Sequence, residues 1–319
     1  MNLISRLVPT NLLSEKEKFF ADEKYQPQFT YEEPISESEL QNFGVPQKKY
    51  VDLAKTILQK TYHHRNEADL FMMEGRELTQ AQVTHQAEVF LKAHHLEKRF
   101  QIIWSSSFVS RASITEDTLK IRLPVDFRQE GLTGMLYHEV GTHALRRLNY
   151  EKQLWYKQKK KRGFQDYLRT EEGLAALNAL VPHSFPSSYI QAIRYLAVHF
   201  AQTHSFVELW HLLKPYIEDP ERRWNVTFRQ KRGLTDTSQP GGYTKDLVYF
   251  EGLVEVWQWL ATHDFDPSLL YWGKHAWQDV DKALEMNPHF KPLLPKFYTH
   301  DVKGYQKAMS EIGKFNLMT

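Results

Sequence analysis

The stretch Tyr137-His138-Glu139-Val140-Gly141-Thr142-His143 constrains this chain more than any other. It lies within an amphipathic segment, Gly131 to Asn149, whose apolar spacing predicts a helix. Two imidazoles with an adjacent carboxylate are the minimum donor set for a hydrolytic metal site. The spacing is H-E-x-x-x-H, one residue longer than H-E-x-x-H, in which histidines four apart share a helix face and reach one zinc ion. Five apart, at about 100° per residue, they diverge by roughly 140° on a regular helix. The segment must therefore distort if both are to meet one ion. A π-bulge would realign them, and such bulges concentrate at functional sites. Alternatively, Gly141 lets the helix loosen or end between the two. A plain core helix gains nothing from Gly there, which costs about 1 kcal/mol relative to Ala.

Composition narrows the chemistry. There is no cysteine, so disulfides, thiolate ligands and Cys nucleophiles are excluded, and any metal must rest on His, Asp or Glu. With 15 His and 39 Asp plus Glu in 319 residues, composition alone yields fewer than about 0.1 chance matches to H-E-x-x-x-H. A hydrophobic content of 41% and an aromatic content of 13% favour a packed core over disorder. The net charge of +2 gives no ground for a nucleic-acid partner. No apolar run could span a bilayer, and Met1 to Arg6 lacks the apolar core of a signal peptide. No membrane partner and a cytoplasmic location are therefore the expectation.

Residues 1–46 read as an arm, rich in Pro, aromatics and acids and weak in periodicity, whose aromatics should pack it onto the body. Residues 47–319 read as a single catalytic domain. Helical patterns run over 47–74 and 79–96, the second opened by a capping box of Thr79 with Gln82. Two strand-like runs follow at 100–104 and 119–123, with a turn at Glu116-Asp117. Beyond the motif helix come helices near 170–180, 187–202, 205–217, 220–232, 244–262 and 300–313. Asp219-Pro220 supplies an N-cap and a first-turn proline. The fold class is thus α+β and helix-rich, with a small β-sheet beside the motif helix. The basic loop Lys157 to Gly163 reads first as a solvated connector and second as a patch that attracts an acidic partner.

A hydrolytic zinc site needs one more protein ligand and one open position. The best candidate lies in Thr170-Glu171-Glu172-Gly173-Leu174-Ala175, where Thr170 is a plausible N-cap and two carboxylates enter the first turn. Glu172 would complete the set, and Glu139 would act as general base on a water whose pKa zinc lowers to about 7. His199 and His204 repeat the five-residue spacing but lack the following Glu, so they read as ordinary histidines. The tandem pairs His63-His64 and His94-His95 fall near helix ends, where C-terminal dipoles favour them, and read as solvated.

The combination of His138-Glu139-Val140-Gly141-Thr142-His143 with Thr170 to Ala175 resembles the tyrosine metallocarboxypeptidase family. One of its members trims the C-terminal tyrosine from α-tubulin, and its bacterial relatives carry a Q-E-G-L-A motif. Asn11 to Phe29 is similar to the family's N-terminal arm. Arg229 to Gly233 and Gly242 to Asp246 are similar to later family blocks. The resemblance implies a zincin-like metallopeptidase with one Zn2+ held by His138, His143 and Glu172, and Glu139 as catalytic base. It implies a peptide or protein C-terminus as substrate, with tubulin as one candidate. The chain departs from the family label at Glu171, where the label has Gln, so either Glu171 or Glu172 could face the metal.

A carboxypeptidase must also bind a terminal carboxylate, a task that suits arginine's planar fork and, as a point charge, lysine. Arg229, Arg232 and Lys245 are the candidates, and Tyr243 is a candidate donor to the oxyanion. The leading expectation is a zinc carboxypeptidase that releases tyrosine or another aromatic residue. The alternatives are a non-catalytic regulatory or binding protein with a closed structural zinc site, and a metallohydrolase of other specificity.

Overall fold

Side-chain caps set several helix boundaries in the computed structural model, which describes residues 3–108 and 110–318. Thr79 and Gln82 form the reciprocal box that opens helix Gln80–Ala93. Asp219 accepts from Arg222 N at the start of Pro220–Lys231. Ser205 and Glu208 cap Phe206–Leu213 in the same reciprocal way. Each cap satisfies donors that the first turn leaves without partners. The pattern expected to run over 47–74 is two helices instead, Lys48–Thr61 and Glu67–Met73. Between them His64 takes a left-handed backbone, φ 58°, which a continuing helix cannot accommodate.

The chain divides into two units, one of residues 1–67 with 188–250, the other of residues 68–187 with 251–319. In the first, helix Lys48–Thr61 packs on Tyr189–Ala201, and Phe206–Leu213 packs on Pro220–Lys231. Phe19 and Phe29, from the N-terminal stretch, are buried against Phe206, Trp210 and Trp224. Phe29 N also donates to Thr235 O at 2.8 Å. Lys231 is fully buried, and its ammonium donates to the carbonyls of His204, Gln239 and Gly241. That side chain organises the Gly233–Gly242 loop from inside.

The second unit carries a three-stranded sheet of order β1-β3-β2, with β1 Gln101–Ser105, β2 Ala112–Ile114 and β3 Thr118–Arg122. β1 and β3 run parallel, Ile102 opposite Leu119, while β2 returns antiparallel on β3, Ile114 opposite Leu119. The α+β, helix-rich class and the small sheet therefore hold, and the sheet is mixed and three-stranded. β2 has only three residues, too few for its alternation to show in the sequence. Helix Gln129–His138 crosses Leu168–Leu180 at close range, because a Cβ on Gly134 would lie 2.5 Å from Ala179 O. Leu168–Leu180 is itself pressed against Gly252, where a Cβ on Gly173 would lie 2.2 Å from backbone. Glycine at these two places permits the approach on which the site depends. Among the described residues, no helix is long and apolar enough to cross a membrane.

Candidate active site

The motif helix is distorted as its spacing demands. It is α-helical over Gln129–His138, π-helical over Glu139–Ala144 and α-helical again over Leu145–Glu151. The π-turn absorbs the extra residue and brings the two imidazoles together, edge to face with ring centroids 4.8 Å apart. Gly141 keeps a right-handed helical place within this turn. Its role is space, since a Cβ would lie 2.5 Å from the Phe297 ring, which stacks on Tyr137 at 3.9 Å.

A closed set of buried hydrogen bonds holds the π-turn. Thr142 Oγ1 donates to Tyr137 O at 2.9 Å, and Tyr271 Oη donates to Gly141 O at 2.7 Å. Asn178 Nδ2 donates to both hydroxyls, at 2.9 Å to Thr142 and 3.1 Å to Tyr271. Tyr305 Oη in turn donates to Asn178 Oδ1 at 2.9 Å. The donors of Thr142, Asn178, Tyr271 and Tyr305 all find acceptors, the condition under which a buried polar network specifies one geometry.

Three side chains converge beneath this turn. His138 Nε2 lies 3.9 Å and His143 Nε2 3.6 Å from Glu172 Oε2. One donor atom from each lies within 4.8 Å of the others, the one such trio among the described residues. Glu139 sits beside them, Oε1 4.0 Å from His138 Nε2, while its Oε2 accepts from Ile114 N of β2 at 2.9 Å. Glu171 and Glu172 are neighbours in sequence with different surroundings. Glu172 faces the imidazole pair, whereas Glu171 lies behind His143 and accepts from its Nδ1 at 2.8 Å. Thr170, expected as the N-cap, stands inside helix Leu168–Leu180 and accepts from Trp277 N instead.

Burial and neighbouring charge act in opposition here. Burial lowers the pKa of the His138 imidazole, helped by His143. Burial also pulls on His143, but the carboxylates of Glu171 and Glu172 outweigh it and push that ring up to about 10. Burial would raise the Glu171 carboxyl, yet Lys274, Arg146 and His143 hold it well below the usual carboxylate range. His275 is fully buried close by, its carbonyl accepting from Arg146 Nη2. Burial, then the Arg146 charge, lowers its imidazole from 6.5 to about 4. The unfolded chain protonates His275 below pH 6.5 while the folded protein resists until about pH 4. Stability should therefore drain as pH falls through that window, by on the order of 3 kcal/mol. Denaturant unfolding at pH 7 and pH 4 measures the loss, and His275→Gln should flatten that part of the profile.

Arg229, Arg232, Tyr243 and Lys245 belong to the first unit, the His/Glu trio to the second. Arg229 is engaged with Asp246 through Nε and Nη2 at 2.6–3.0 Å. The Arg232 guanidinium lies over the Tyr243 ring, 4.8 Å from its centroid, and Tyr243 is buried. His204 Nδ1 lies 2.9 Å from the Phe200 carbonyl. His63, His64 and His95 are exposed beyond helix ends, but His94, expected to be solvated, is buried and accepts from Lys296 N. The basic loop is largely exposed, though Lys159 folds back over the Tyr167 ring. Sequence reasoning missed Arg146, Lys274, Asn178, Tyr271 and the Ile114 amide. Arg146 stands three residues after His143, on a neighbouring helix face, and that was the one local signal.

Known proteins match almost the whole chain. The chain is 32% identical over 325 residues to human microtubule-associated tyrosine carboxypeptidase 1, covering 97% of this chain and 67% of that protein. The mouse protein of the same name is 30% identical over 318 residues, covering 97% of this chain and 68% of its own length. A mouse protein named putative tyrosine carboxypeptidase MATCAP2 is 29% identical over 326 residues, covering 99% of this chain and 62% of that protein. The family model described as microtubule-associated tyrosine carboxypeptidase matches residues 18–310. With nearly the whole chain matched, this protein belongs to the microtubule-associated tyrosine carboxypeptidase family.

Proposed function

We propose that this protein is a zinc-dependent carboxypeptidase that hydrolyses a C-terminal peptide bond and releases tyrosine or another aromatic residue. The observation that carries the reading is the convergence of His138 Nε2, His143 Nε2 and Glu172 Oε2 with Glu139 beside them. The donor set fits the ion. Bonds of about 2.0–2.2 Å in a tetrahedron place ligand atoms about 3.4 Å apart, and the separations to Glu172 Oε2 are 3.6 and 3.9 Å. Two neutral imidazoles and one carboxylate suit zinc. The family names of the relatives support the reaction class.

Zinc held there would supply a Lewis acid for the scissile carbonyl and make water acidic enough to deprotonate near neutral pH. Glu139 is the chain's own proton acceptor. The Ile114 amide fixes Oε2, which leaves Oε1 to take the proton of the attacking water and pass it to the leaving amine. Tying the base to a β-strand amide restricts its rotamers and maintains its aim. A purely structural zinc brace would want a fourth protein donor. Glu139 is the neighbouring acid, and half of its carboxylate is already engaged by backbone.

Purified protein should hold about one zinc per chain and release the last residue from peptides with a free C-terminal carboxylate. The same peptides carrying a C-terminal amide should resist. Protein that neither holds nor takes up zinc, or that cleaves amides equally well, would overturn the reading.

A further inference from the structure

We propose that Glu171, clamped by Arg146 and Lys274, is a positioning residue that presents His143 Nε2 to the metal. The inference rests on the zinc reading above and concerns how one ligand is held. Glu171 Oε1 lies 2.8 Å from His143 Nδ1 and 2.8 Å from Lys274 Nζ. Its other oxygen, Oε2, accepts from Arg146 Nη1. A carboxylate so placed accepts and does not donate, so with zinc held the proton of His143 would stay on Nδ1 and Nε2 would offer its lone pair to the ion.

The clamp is rigid because Arg146 is spent elsewhere as well. The guanidinium is fully buried and donates from Nε to Leu270 O and from Nη2 to His275 O, both at 2.8 Å. Its planar fork fixes the direction from which Nη1 meets Glu171. Arg146 grows from the turn after the π-helix, and Glu171 from the helix that carries Glu172. The ion pair therefore ties together the two elements that bear the ligands. Lys274, from a third segment, supplies the second cation. Burying Glu171 with His143 alone would leave an uncompensated charge, and the two cations remove that cost.

A merely structural role predicts lost stability without a change in metal affinity. The positioning role predicts both. In Glu171→Gln the amide oxygen can still accept from Nδ1, but its NH2 group then faces Arg146 or Lys274, donor against donor. The expected result is a zinc dissociation constant raised about 10- to 100-fold in chelator competition, with the protein still folded by circular dichroism. Lys274→Met, which spares the pair with Arg146, should weaken zinc by a smaller factor. The double variant should fall short of the product of the two single effects, because both act through one carboxylate. A Glu171→Gln protein that is folded and binds zinc within about threefold of the parent overturns the positioning role and leaves the zinc reading intact. A parent that takes up no zinc overturns the zinc reading, and this inference with it.

Discussion

Glu139→Gln should leave a folded, zinc-loaded protein whose turnover on C-terminal peptides falls about a thousandfold. The replacement is nearly isosteric, and its amide oxygen can still accept from Ile114 N, as Glu139 Oε2 does at 2.9 Å. Side-chain position is thus retained. What disappears is the carboxylate oxygen able to accept a proton from water, since an amide is not basic near neutral pH. Zinc should remain because Glu139 is not one of the converging donors, which come from His138, His143 and Glu172. Turnover should drop with little change in KM if Glu139 acts only in the chemical step. Metal content by atomic spectroscopy and steady-state kinetics read the two halves separately. Loss of zinc in the variant would make Glu139 a ligand, and full turnover would remove it from the reaction.

Much of this architecture could be read in advance, and the reasons differ from element to element. Asp219-Pro220 and Thr79 with Gln82 announce helix starts because capping is local, and both are found. The five-residue histidine spacing required a distortion, and the π-turn over Glu139–Ala144 supplies it. The local sequence could not decide between a π-turn and a break at Gly141. That choice is made by Tyr271 and Asn178, which reach the turn from far along the chain, and by Tyr305, which holds Asn178. The same holds for Glu171 and Glu172. Adjacent carboxylates at the start of a helix look alike in sequence, and their roles part because they point about 100° apart and because Arg146, Lys274 and His143 Nδ1 meet Glu171. Arg229 illustrates the converse. Its fork suits a carboxylate, as residue type suggests, and the carboxylate it meets in the fold is that of Asp246.

Thr142→Val carries the second large effect. Threonine and valine share a shape, so the change removes one hydroxyl and little else. That hydroxyl is fully buried, donates to Tyr137 O and accepts from Asn178 Nδ2. Water cannot substitute for it, and the carbonyl and amide left behind cost about 1–3 kcal/mol together. The loss falls on a π-turn, which is intrinsically poorer than the α-turn it replaces and persists because its surroundings fix it. Relaxing by one residue toward the α register rotates His143 by about 100° relative to His138. The imidazoles would then no longer meet at Glu172 Oε2, to which they now approach within 3.9 and 3.6 Å. Zinc affinity should fall by at least about tenfold, and the midpoint of thermal unfolding should drop by a few degrees, about 1.5 °C per kcal/mol in a chain of 319 residues. Thr142→Ser, which keeps the oxygen, should recover most of both. A Thr142→Val protein with unchanged zinc affinity and melting would mean that the π-turn stands without the Thr142 hydroxyl, supported by backbone geometry and the Tyr271 bond.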